Sequence, residues 1–133
     1  MTPVRKATSP ASKARAVAVF TVEARGIRLR VRVLPSIEAV AEAYHGGARR
    51  DDRCRVHAFF QSASRAPLVG TITLPADGRL DELVPHETVH AVLHACGEVR
   101  CHDDEEFALS VGLLSAKIFL GLRRRGVLLG VAP

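Results

Sequence analysis

Apolar and polar residues alternate along the first part of the chain in the pattern of β-strands. Residues 17–22 alternate loosely, and Gly26 offers a turn. Four apolar positions then alternate with three arginines: Ile27, Leu29, Val31 and Val33 with Arg28, Arg30 and Arg32. A period of two predicts a strand with one buried face. The arginine face is interpreted as an exposed strand surface, with an attraction for phosphate or an acidic partner as the alternative.

The pattern changes to helical spacing after Pro35-Ser36, which is a helix-start signal. Apolar residues recur at this spacing up to Tyr44, and Gly46-Gly47 ends the run, so a short helix is predicted over residues 37–45. Residues 48–54 are polar and charged and are predicted to form a loop. Two short strand candidates follow, at residues 55–60 and 69–74.

Two helices are predicted in the last third of the chain. Helical spacing runs from Leu80 to Cys96, but Pro85 removes a helix hydrogen bond, so the main helix is predicted to begin near Val84. The last helix is predicted from about 104 to 125, with Asp103 as its N-cap.

The predicted fold class is therefore α+β. It comprises a small, mostly antiparallel sheet of about four strands with one helix among them. An active-site helix at about 84–96 and a C-terminal helix at about 104–125 follow.

Length and charge limit the classes of function. The chain of 133 residues fits one domain. Residues 1–15 are predicted to form a flexible basic tail and residues 16–133 the domain. The tail carries four of the net five positive charges, so a nucleic-acid partner is only weakly supported. The apolar segment 107–122 is too short to cross a bilayer and contains Lys117, so no membrane partner is expected.

The cysteines suggest neither a disulfide framework nor a zinc knuckle. There are three of them, Cys54, Cys96 and Cys101, and none forms a C-x-x-C pair. A reducing cytoplasm is the simplest location for such a chain.

The segment His86-Glu87-Thr88-Val89-His90 carries the candidate chemistry. Residues four apart on a helix stand one above the other, so the imidazoles of His86 and His90 can converge on one ion. Zinc binds neutral imidazole and, at an open position, a water whose pKa falls towards 7. Glu87 is then the candidate general base.

An acidic pair at the start of the last helix offers a third ligand. Either Glu105 or Glu106 could complete a two-histidine, one-carboxylate set, but adjacent helical residues diverge by about 100°, so only one can point inward. Glu105 is preferred because Ala108 and Gly112 share its face and would allow close approach, whereas Glu106 suits a capping box with Asp103.

The stretches HETVHAVLHACG and DDEEFALSVG together resemble the minimal zincins of the gluzincin type found among phage and bacterial proteins, similar in pattern to ImmA/IrrE-type metallopeptidases. The resemblance covers about residues 69–120. It implies a zinc metallopeptidase in which His86, His90 and Glu105 or Glu106 hold Zn²⁺ and Glu87 is the base. It also implies a protein or peptide substrate and a cytoplasmic location, with a phage origin and action in the host cytoplasm left open.

In such families a strand precedes the histidine helix and lines the cleft. Residues 70–74 match this strand and are predicted to form a sheet edge that pairs with substrate, with Thr71 and Thr73 as substrate-binding residues. The residue that stabilises the oxyanion stays open among four candidates: Tyr44, His45, His57 and His102.

A role for His94, an alternative metal site and an alternative function complete this interpretation. His94 continues the histidine stripe by one turn and is assigned a role at the rim of the site, because one straight helix rarely supplies three ligands to an ion. A sulfur-containing site of Cys96, Cys101 and His102 is a less favoured arrangement. The alternative function is a zincin-fold protein that binds a protein or nucleic acid, with a structural or vestigial zinc.

Overall fold

The computed structural model describes residues 15–46, 56–97 and 104–127. The predicted tail, apart from its last residue, lies outside the described residues. So do the predicted loop at 48–54, the N-cap Asp103, and Cys54, Cys101 and His102.

The first two strands form an antiparallel hairpin. Strand β1 (Ala18–Ala24) pairs with β2 (Ile27–Leu34), and the register ends at Ala24 opposite Ile27. The two turn residues, Arg25 and Gly26, both have positive φ, 52° and 81°. This geometry fits a two-residue hairpin turn, whose twist matches that of the flanking strands.

Helix α1 (Ile37–His45) has the predicted bounds. Its start is fixed by Ser36, whose Oγ accepts a hydrogen bond from the Ala39 N–H at 3.1 Å. Its end is fixed by Gly46, which adopts the left-handed conformation at φ 67°. The capping residues were therefore sufficient to place this helix from sequence.

Two further strands complete a four-stranded sheet in the order β1-β2-β4-β3. Strand β3 (Phe59–Ser62) begins four residues later than the 55–60 segment predicted for it, and β4 is Leu68–Pro75. β4 pairs parallel to β2 and antiparallel to β3. The prediction that residues 70–74 form a sheet edge is therefore wrong, because β4 is hydrogen-bonded on both sides. β3 lies at the edge.

The last two helices cover one face of the sheet. Helix α2 (Leu80–Cys96) runs through Pro85 without a break and so begins one turn before the predicted start near Val84. Helix α3 spans Asp104–Arg124. The main core is formed by alternate residues of β2 and β4 with one face of each helix. Its fully buried members include Leu29, Val31, Ile72, Leu74, Val84, Leu114, Ile118 and Leu122.

The fold class predicted from sequence is confirmed: an α+β arrangement with a mostly antiparallel four-stranded sheet and the two long helices after it. In the part of the chain that the structure describes, no helix has the length and apolar character needed to cross a bilayer.

Candidate functional site

The two motif histidines lie on the exposed side of α2 with their rings in contact. The ring centroids are 4.9 Å apart, and the Nε2 atoms are separated by 3.3 Å. Two imidazole nitrogens bound to one tetrahedral zinc at about 2.0–2.1 Å would lie about 3.3–3.4 Å apart. His86 and His90 thus already have the separation that a shared zinc ion requires.

Glu87 is buried beside this pair. Only 5% of Glu87 is exposed to solvent, and its Oε2 lies 4.0 Å from Nε2 of His86. Burial raises the pKa of the Glu87 carboxyl group above its ordinary value, and the charge interaction with the two neighbouring histidines offsets part of that rise. A carboxylate with a raised pKa, close to the histidines, is suited to accept and hold a proton.

These side chains open into a groove of about 740 Å³. One wall is α2, which contributes Glu82, Leu83, His86, Glu87, His90 and His94. The opposite wall is formed by Tyr44 at the end of α1 and by residues 56–60, which lead into the edge strand β3. His94 also lines the groove, and its ring centroid lies 5.7 Å from that of Phe60.

The structure does not bring the predicted third ligands to the histidines. Neither Glu105 nor Glu106 lines the groove, and Oε2 of Glu106 lies instead 4.0 Å from Arg25 in the hairpin turn. The close packing of α3 that favoured Glu105 in the sequence is absent at Ala108 and Gly112. Both residues are exposed, and a Cβ added at Gly112 would meet nothing within 4 Å, so their face of α3 does not pack against α2.

The predicted substrate-binding threonines lie away from the groove. Thr73 is completely buried and its Oγ1 accepts a 3.5 Å hydrogen bond from Arg32. Ile72 and Leu74 point into the core beneath α2, so Thr71 and Thr73 lie on the opposite face of the sheet. This alternation therefore places both threonines outside the groove lining.

Two of the four candidates for oxyanion stabilisation, Tyr44 and His57, do line the groove. The imidazole of His45 turns away, with its Nε2 buried. Glu82 was not recognised from sequence, although its position four residues before His86 on a helix was the signal that could have identified it.

The metal fit is therefore incomplete within residues 15–46, 56–97 and 104–127. These ranges contain no group of three or more histidine, cysteine or acidic side chains placed to hold one ion. The separation of the two imidazoles fits zinc, but no third protein ligand is placed beside them within these ranges.

Cys96, at the end of α2, is disulfide-bonded. The sequence suggested no disulfide framework and did not predict this single bond.

Comparisons with known proteins do not extend this description. No protein-family model matches the chain, and no curated protein or solved structure does so.

Proposed function

We propose that the chain is a zinc-dependent peptidase in which His86 and His90 hold the ion and Glu87 is the general base. The observation that carries this proposal is the 3.3 Å separation of the two Nε2 atoms beside a buried carboxylate. A pair of histidines selected only for surface solubility would have no need for a buried carboxylate beside it.

The chain's own residues supply the proton chemistry. When bound, zinc lowers the pKa of a water and polarises a carbonyl group. The carboxylate of Glu87 accepts a proton from the water that attacks the peptide carbonyl and then donates that proton to the leaving amine. Desolvation raises the pKa of this carboxyl group and so makes the carboxylate a stronger base.

The groove favours an extended peptide as substrate. β3 pairs only with β4 among the described residues, so its other side is open. Ala63 donates its N–H to the Val69 carbonyl, and bonding alternates along an antiparallel strand. The backbone polar groups of Phe60 and Ser62 therefore point outward, where an added strand can pair with them. This moves the proposed substrate contact from β4 to β3.

The decisive experiment compares the wild-type protein with Glu87→Gln. The amide keeps the shape of the side chain but accepts no proton at neutral pH, so zinc binding should persist while hydrolysis of an unstructured protein such as casein falls by roughly 100- to 10,000-fold. The matched control is Glu42→Gln, which makes the same change at an exposed position of α1 outside the groove and should preserve the rate. Equal rates for wild type and Glu87→Gln would refute Glu87 as the base.

A binding module is the second candidate function, with zinc structural or vestigial and a protein or nucleic acid as partner. The observation that favours it is the lack of a three-ligand group among the described residues. This candidate predicts that the wild-type protein hydrolyses no peptide and that Glu87→Gln has no effect on partner binding.

A further inference from the structure

Helix α3 carries a second feature that the peptidase proposal does not use: a row of exposed leucines. Leu109, Leu113 and Leu120 are 46%, 40% and 45% exposed, although the opposite side of the same helix is buried in the core. Positions 109, 113 and 120 lie within about 40° of one another around the helix, so the three leucines share one side. Exposed apolar patches often mark an interaction surface.

Small residues run along this surface between the leucines. Ala108, Gly112 and Ala116 are exposed and four residues apart, so they share one side of the helix. A glycine in a helix interior is unfavourable relative to alanine, and nothing in the described chain contacts the position where a Cβ of Gly112 would lie. A close approach by an external helix would give this glycine a function.

One stripe of this surface, through residues 105, 109, 112, 116, 119 and 123, is spaced evenly about the level of the buried residue Leu114. Along it Gly112 lies opposite Ala116, Leu109 opposite Phe119, and the acidic Glu105 opposite the basic Arg123, whereas Leu113 and Leu120 flank the stripe and have no such counterparts. The intervals between these positions alternate between four and three residues, as in the seam of two packed helices. A stripe whose spacing is the same in both directions allows an antiparallel pair of identical helices.

Charge at the two ends of α3 supports the same orientation. The first turn is acidic, with Asp104, Glu105 and Glu106, and the last turn is basic, with Arg123 and Arg124. Antiparallel packing of two copies places each acidic turn beside the arginines of the other copy. Parallel packing would instead bring like charges together at both ends.

We infer that the protein forms a two-fold symmetric homodimer through antiparallel contact between the two α3 helices. The same surface is used on both copies, as two-fold symmetry requires. This inference is independent of the metal site, because none of the groove-lining residues belongs to α3.

Sedimentation velocity of the full chain from roughly 1 to 200 µM tests the dimer. We expect the dimer fraction to rise with concentration and Leu109→Glu to weaken the dimer by more than about tenfold. Val19→Glu is the matched control. Val19 is 52% exposed on β1, alternates with the core residue Phe20, and so faces away from the helices. Far-UV circular dichroism confirms that both variants fold.

Charge reversal tests the orientation. Glu105→Arg and Arg123→Glu each create two like-charge contacts across the interface and should each weaken the dimer by about tenfold. The double variant restores opposite charges and should return to within about threefold of wild type. A chain that is monomeric up to about 200 µM overturns the dimer and assigns the surface to another occupant, such as the N-terminal tail or a different protein. A double variant weaker than either single variant overturns the antiparallel arrangement.

Discussion

His86 and His90 lie with their Nε2 atoms 3.3 Å apart, close enough to share either a hydrogen bond or a metal ion. The protein should bind zinc, and His86→Ala or His90→Ala should weaken binding by more than the roughly 10- to 100-fold that loss of an outer-shell partner costs. Isothermal titration of metal-free protein measures this. His94→Ala, one turn further along α2, is the control and should retain the wild-type affinity. Zinc binding unchanged in both His86→Ala and His90→Ala would contradict the site.

Neither acidic residue at the start of α3 should contribute strongly to zinc affinity. Glu105 and Glu106 lie outside the groove, and Glu106 is close to Arg25 instead. We expect Glu105→Ala and Glu106→Ala each to change the zinc dissociation constant by less than about threefold. This change is far smaller than the one expected for His86→Ala. Competition with a chromophoric chelator gives the values. A large loss in one variant would identify that residue as the third ligand.

Glu87→Gln should stabilise the metal-free protein at neutral pH. Burial raises the pKa of the folded Glu87 above that of the unfolded chain, so the folded state binds more protons and stability falls as pH rises between those two pKa values. The glutamine has no charge to desolvate. Glu87→Gln should therefore unfold at a higher temperature than the wild-type protein at pH 7. This difference should disappear below the pKa of the unfolded chain, near pH 4. An advantage that is independent of pH would contradict this origin.

Two glycines of α3 should respond in opposite ways to alanine. A Cβ at Gly121 would collide with the Phe20 ring, so Gly121→Ala should lower the free energy of unfolding by about 1–3 kcal/mol. Gly112 faces open space, and Gly112→Ala should raise that free energy by roughly 0.5–1 kcal/mol. Urea denaturation in dilute solution measures both. Equal effects at the two positions would contradict the described packing of α3 against β1.

Local signals in the sequence predicted the elements well. The alternation of three arginines with apolar residues identified β2, and Ser36 with Gly46 fixed both ends of α1. Each of these signals depends on residues close together in the chain. The HExxH spacing likewise placed His86 and His90 side by side, because helix geometry alone brings them together.

Relationships between distant elements could not be read in the same way. Sheet order depends on which strands meet in three dimensions, so the edge was assigned to β4 although β3 occupies it. The small residues Ala108 and Gly112 suggested a packed face, yet α3 buries the face of Ser110, Leu114 and Ile118. Helical periodicity identifies a stripe but does not say which neighbour covers it.

The parallel pairing of β2 with β4 also sets the order in which the chain can assemble. The hairpin joins Ala24 to Ile27 across two residues, whereas the register of β2 and β4 joins Arg32 to Thr73, 41 positions away. Closing a long loop costs more chain entropy than closing a short one, and distant contacts slow folding. β3 and α2, which form most of the two walls of the groove, both come after the hairpin in the chain. A nascent chain should therefore have its hairpin well before it has a groove.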